Sequence, residues 1–216
     1  MRTESHRGSL SRNENMTTTS LLGAARYGVK QAPTDLALVQ ELLNTAAGSK
    51  ARLPDLLEQT AAAGEWLREL LGTEADETTG NQASDPTPAE LRKLRELRSN
   101  IAASLSGAEP AHVRADLRLE LQPSGEVEAT LSARPVPRLL SAVLLQAFLT
   151  QRSGEWQRLK ICANPNCNVS FYDRSKNRSG VWHDVHTCGN AINLRASRSR
   201  RRTDRNSSVG VDGTER

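Results

Sequence analysis

Three cysteines and two histidines fall within 27 residues near the end of this 216-residue chain: Cys162, Cys167, His183, His186 and Cys188. The chain has no other cysteine. Written as ligands, the stretch reads C-x4-C, fifteen residues, then H-x4-C. Two ligand pairs joined by a spacer of that size are the pattern of a structural zinc site, in which thiolate and imidazole donors surround one ion in a tetrahedron. Asn164, Pro165 and Asn166 supply the tight turn that lets the first pair grip one ion, and Val169 to Tyr172 is β-prone. Cys188-Gly189-Asn190 then opens a helix expected to run to about Arg202.

Cys162, Cys167 and Cys188 are thus expected ligands of a single structural Zn2+. The spacing favours His183 as the fourth, because His183 to Cys188 repeats the interval of the first pair. His186, one residue from Cys188, would need a strained bite and is the alternative. Four protein donors leave no open position for catalysis. The H-E-x-x-H helix and the deaminase H-x-E with P-C-x-x-C are both absent. The expectation is a folding metal in a protein that is not an enzyme.

Charge is concentrated beside the same residues. Residues 1–150 carry 16 Lys and Arg against 19 Asp and Glu, whereas residues 151–205 carry 12 against 4. Such a local excess favours a polyanionic partner, since each basic side chain set against a phosphate releases counterions. Arg195, Arg198, Arg200, Arg201 and Arg202 would be presented by the helix after Cys188, with Lys176 and Arg178 as a second basic edge. DNA is the expected partner. A membrane is not, because the basic stretch lacks an apolar face and no run of about 18 apolar residues exists. The polar, charged N-terminus lacks the apolar stretch of a signal peptide. The protein is expected to be cytoplasmic, where clustered cysteines point to metal rather than disulfides. Met16 is an alternative start to Met1.

The elements that must position these groups are mostly helical. Leu36, Leu38, Val39, Leu42 and Leu43 predict a first helix after Pro33. A second is expected from Pro54 and Asp55 to Leu71, and a polar loop from Thr73 to Pro88. Thr87-Pro88-Ala89-Glu90 opens a third helix, carried on by Leu91, Leu94, Leu97, Ile101 and Leu105 to a stop at Gly107. Leu117, Leu119 and Leu121, then Val127, Ala129 and Leu131, alternate with polar residues around Pro123-Ser124-Gly125. That is a β-hairpin with one apolar and one charged face. Leu139 to Leu149 is strongly apolar and is expected as the buried core helix. The fold class is therefore α+β and predominantly α. A helical N-terminal domain with one hairpin covers 22–152, a small zinc-organised ββα-like module covers 153–203, and 1–21 and 204–216 are expected to be disordered.

At Cys162-x4-Cys167, Phe171-Tyr172-Asp173, Trp182 and Cys188-Gly189-Asn190 the sequence resembles the CGNR zinc finger family of bacterial proteins. Tyr27-Gly28-Val29, Leu38-Val39-Gln40 and Leu42-Leu43-Asn44-Thr45 resemble the stress-induced-regulator domain that precedes the finger in that family. Two positions depart from the pattern. His183 stands where the family has a cysteine after the tryptophan, and Ala191 stands where it has an arginine, a role that Arg195 or Arg198 could take. The resemblance implies a DNA-binding transcriptional regulator whose N-terminal domain senses or interacts. Two rival readings are a zinc-stabilised module for proteins, RNA or polyanions in general, and a small-molecule effector or enzyme site around Asn44, Thr45 and Arg98.

Overall fold

The computed structural model describes residues 22–48, 53–72 and 85–209. The N-terminal segment expected to be disordered, and most of the polar loop after Thr73, lie outside the described residues. Helices α1 (Leu22–Arg26), α2 (Thr34–Leu43), α3 (Thr60–Leu71) and α4 (Pro88–Leu105) are followed by a hairpin of β1 (Arg118–Leu121) and β2 (Val127–Thr130). Helix α5 (Pro135–Ser153), the hairpin β3 (Leu159–Ile161) and β4 (Ser170–Tyr172), and α6 (Asn190–Val209) follow, and α6 runs past the end expected near Arg202 into the tail expected to be disordered. This is the expected predominantly α fold, closing in a ββα module.

Local chemistry explains the element ends. Thr87 Oγ1 accepts from the Glu90 amide while the Glu90 carboxylate accepts from the Thr87 amide, a reciprocal cap that starts α4 with Pro88 in its first turn. Gly154, left-handed at φ 77°, ends α5. Helix α3 begins at Thr60, later than expected. Asp55 does not start it, because its carboxylate accepts from the Leu57 amide in a turn and pairs with Arg98 at 2.5 Å.

The helix at the centre is α2, not α5. Every residue from Leu36 to Thr45 is buried, since α1, α4, α5 and β4 all pack around α2. Helix α5 buries Val136, Leu139, Leu140, Val143 and Ala147 but leaves Phe148 57% and Leu149 51% exposed. Leu36, Val39, Leu42, Trp66, Leu91, Leu94, Leu97, Leu139, Val143 and Leu159 form one core, so the first strand of the finger module roots in the helical body.

Four buried polar residues on α2 and just beyond it make that central position possible, because each has partners at hand. Glu41 accepts from the Gly23 amide at 2.6 Å, the Ala24 amide at 3.3 Å and Trp66 Nε1 at 2.7 Å. Gln40 Oε1 accepts from the Ala32 amide at 2.5 Å. Thr45 Oγ1 donates to the Leu42 carbonyl and accepts from Arg98. Asn44 reaches across to the finger: its Oδ1 accepts from the Ser170 amide at 2.9 Å and its Nδ2 donates to the Ser170 carbonyl at 3.1 Å. The carboxamide thereby acts as a neighbouring strand for β4, whose other edge pairs with β3.

Asn44→Ala leaves both groups of the Ser170 peptide buried and unpaired, and should cost about 2–4 kcal/mol of stability. Chemical denaturation measures the loss, and faster hydrogen exchange of the Ser170 amide localises it. Glu41 adds a pH dependence. Burial pushes its carboxyl above the ordinary 4.5, and the bonds from Trp66, Gly23 and Ala24 offset only part of that. A carboxyl raised in the folded chain holds its proton more tightly there, so its stabilising contribution is complete below the ordinary value and declines as pH rises through the raised one. The stability difference between wild type and Glu41→Gln should therefore move in favour of the variant from acid to neutral pH. A constant difference in urea midpoints would contradict this.

Candidate metal centre

Cys162 follows β3 directly and Cys167 lies just before β4, so the hairpin register brings the two ends of the C-x4-C loop together. The loop is tied by the Cys162 amide to the Val169 carbonyl and by the Cys167 amide to the Asn164 carbonyl, both at 2.9 Å. Asn168, at φ 58°, turns the chain from Cys167 back into the strand. The third and fourth donors come from the other side. A single π-helical turn, Val185–Gly189, precedes α6 and is started by Asp184, whose carboxylate accepts from the Thr187 amide at 2.9 Å. That bond and its neighbours hold the Asp184 carboxyl below the usual carboxylate range. The helical segment thus begins a turn earlier than expected, with Cys188 inside its first turns.

Cys162, Cys167, His183 and Cys188 converge, with one donor atom from each lying within 4.8 Å of every other. Their edges suit a zinc tetrahedron, which needs donor separations of about 3.5–3.8 Å and gains them by a small contraction. His183 Nδ1 is 3.3 Å from Cys167 Sγ. His186 is exposed and outside the cluster, so the structure settles the choice in favour of His183. The three cysteines are buried and the histidine half-buried. Four converging protein donors of this kind are consistent with one structural zinc.

The protonation pattern has the same cause. Burial, with the other two thiols close by, pushes the Cys167 thiol up to about 12. Burial opposes ionisation of Cys188 as well, but hydrogen bonds from Asn164 and the neighbouring thiols bring it below its ordinary value. Three crowded thiols cannot all ionise alone. A divalent cation reverses that balance, so binding must release protons.

Several residues that support the site were visible in the sequence as a turn or as part of the resemblance, but their contacts with the ligands, and Lys160 altogether, were not. Asn164, 1% exposed, donates from Nδ2 to Cys188 Sγ at 3.3 Å, so this turn residue also holds a ligand. Asp173 organises the long connecting loop. Burial alone would raise its carboxyl, but Lys160 at 2.6 Å and the Ser175 and Gly180 amides hold it far below the usual range. Lys160 also donates to the Arg178 and Gly180 carbonyls. Trp182 lies close against Gly189, where a Cβ would stand 3.2 Å from its Cδ1 and crowd the ring. Tyr27 and Val29 pack against the cysteine cluster from the body, with the Tyr27 hydroxyl donating to the Ala46 carbonyl at 2.6 Å.

The remaining expected residues are dispersed. Lys176, Arg178, Arg195, Arg198, Arg200 and Arg201 are exposed, and the side chain of Arg202 lies outside the described residues. Arg178 donates to Gln157 at 2.9 Å. The Asn166 amide, oriented by its surroundings, accepts from both terminal nitrogens of Arg195 at 2.9 and 3.0 Å, linking α6 to the C-x4-C loop. Asn44 and Arg98 are each engaged within the fold. Asn44 holds Ser170, while Arg98 pairs with Asp55 and donates to Thr45.

His183→Ala should lower zinc retention at least tenfold and destabilise the module, whereas His186→Ala should keep one zinc per chain. Elemental analysis after dialysis against a weak chelator reads both. Asn164→Ala should weaken retention by about 10–100-fold, since it removes the bond that orients a ligand.

No curated protein matches this chain. A family model does match, over residues 158–201, and its description is the CGNR zinc finger. The matched span takes in β3, β4, all four converging donors and the first half of α6. On that match and that donor geometry together, the chain carries a CGNR zinc finger.

Proposed function

We propose that the chain is a DNA-binding transcriptional regulator whose finger presents α6 to the duplex. The observation that carries this reading is the way α6 leaves the module. Residues 193–196 and 198–201 are exposed, so the helix projects from a metal-fixed base with little of the chain packed on it. Arg195, Arg198 and Arg201 recur every three residues, which sets them within roughly 120° of one face. An α-helix fits the major groove of B-DNA, where arginine recognises guanine edges and other basic side chains position the module on phosphates. Lys176 and Arg178, on the loop that precedes the helix, are two further exposed basic side chains.

Zinc acts here by folding. Its ligands come from both sides of the module, so losing the ion frees the base of α6 from the hairpin. We read the helical body as the regulatory part and, from its resemblance to stress-induced regulators, place the protein in a bacterial stress response in the cytoplasm. No helix among the described residues is long and apolar enough to cross a membrane.

The test is binding to a randomised duplex pool followed by affinity for the selected and scrambled sequences at physiological salt. A regulator should prefer its selected site by about a thousandfold or more. Arg198→Ala and Arg201→Ala should each weaken binding, reducing the salt dependence by about one unit where the contact is to phosphate. Zinc removal should abolish binding. Equal affinity for every duplex would reject this reading in favour of a general polyanion binder.

A further inference from the structure

The β1–β2 hairpin leaves its apolar side chains in solvent. Leu119 is 60% exposed, Leu121 73% and Val127 64%, and every residue of both strands is exposed. Alternation predicted a hairpin with one apolar face, and the structure confirms the strands while leaving that face uncovered. A two-stranded hairpin alone is marginal in water. Leu117, 38% exposed, continues the face to a groove beside Ser141, Leu144 and Phe148 of α5. The exposed parts of Leu117, Leu119, Leu121, Val127 and Phe148 amount to roughly 500 Å², a scale at which an apolar patch marks an interaction site.

The backbone gives the patch a direction. Arg118 faces Thr130, Leu119 faces Ala129, Glu120 faces Glu128 and Leu121 faces Val127. The Gln122 amide donates to the Glu126 carbonyl at 2.8 Å. Hydrogen-bonding direction alternates along a strand, so Gln122, Glu120 and Arg118 turn their peptide groups toward β2. Leu121, Leu119 and Leu117 turn theirs to the outer edge of β1, which no strand of the two-stranded sheet occupies.

We propose that this outer edge pairs antiparallel with β1 of a second copy of the chain, about a two-fold axis at Leu119. The sequence Leu117-Arg118-Leu119-Glu120-Leu121 is self-complementary in that register. Leu119 meets its own copy and Leu117 meets Leu121, which pairs all the outward peptide groups. On the other face each Arg118 stands opposite a Glu120. The neighbouring registers fail on charge, because an axis at Glu120 opposes two glutamates and an axis at Arg118 opposes two arginines. Glu120 faces Glu128 within its own hairpin and lies 3.8 Å from Arg118 of its own strand, and across the axis the copy's Arg118 adds a second cation beside the two carboxylates. A two-fold uses the same edge on both copies and sets Leu117, Leu119 and Leu121 side by side with their counterparts across the axis. The result is a four-stranded sheet with its leucines on one face.

Sedimentation velocity of the full zinc-loaded chain over a concentration series tests this. Wild type should be a dimer. Arg118→Glu and Glu120→Arg each create two like-charge pairs across the axis and should weaken dimerisation about tenfold or more. An equimolar mixture of the two variants should recover it, because each then supplies the charge the other lacks, and the double variant should do so alone. Both side chains are exposed, so unchanged thermal midpoints and zinc content will show that the variants fold. A wild type that is monomeric at every soluble concentration overturns the proposal. So does a dimer indifferent to the single substitutions, or one that neither the mixture nor the double variant restores.

Discussion

One carboxamide decides how the two parts of this molecule meet. Asn44 binds the amide and the carbonyl of Ser170 together, so it satisfies a strand edge as another strand would. Both bonds are buried and directional, which makes them poor at tolerating rotation and therefore good at fixing orientation. Gln40 reinforces the join, with Nε2 at 3.4 Å from the same carbonyl and Oε1 on the Ala32 amide. The finger's short hairpin would be a weak platform by itself. Held by α2 on one side and seated through Leu159 in the common core, it becomes part of a rigid body.

The metal centre inherits that rigidity. β4 follows Cys167 after only a short turn, and Tyr27 and Val29 cover the cysteines from the body side. Tyr27 in turn needs a bare backbone at Gly48, where a Cβ would stand 2.5 Å from its ring. The body thus supports the hairpin side of the site, and ion binding must in addition displace thiol protons. Burial keeps Cys167 protonated far above neutral pH, while Asn164 eases ionisation of Cys188. Metal uptake should weaken as pH falls, as for any site whose donors must lose protons.

Legibility in the sequence followed the range of the interactions. The cysteine spacing, the Thr87–Glu90 cap and the alternation around Pro123-Ser124-Gly125 are local patterns, and each element or site they imply is present. The central place of α2 was hidden because Gln40, Glu41, Asn44 and Thr45 interrupt its apolar pattern, and polar residues read as an outer face. Their partners include Trp66 and Ser170, far along the chain, and no window on the sequence holds both ends. Helix α5 misled for the opposite reason. Its apolar residues run all round, but Phe148 and Leu149 face outward. Spacing favoured His183 over His186 without deciding between them. The turn that starts at Asp184 decides it, by sending His186 to the surface.

The outer half of α6 poses a problem that the rest of the fold does not solve. Its base is secured by Asp184, by Cys188 and by the contact of Arg195 with Asn166, but those restraints end within the first turns. Beyond them Arg198 and Arg201 continue the three-residue spacing that starts at Arg195, where like charges on a helix repel by about 0.2–0.5 kcal/mol per pair. The described residues of that face offer no carboxylate to relieve them. A solvated tail with no partner would be under no constraint to gather its arginines in this way, and repulsion favours fraying it. Phosphates set along the same face would turn each repulsion into attraction and stabilise the helix they bind. The helix and its polyanion are then coupled: salt that screens the arginines from one another also weakens their hold on the partner, so occupancy should govern the order of the outer turns.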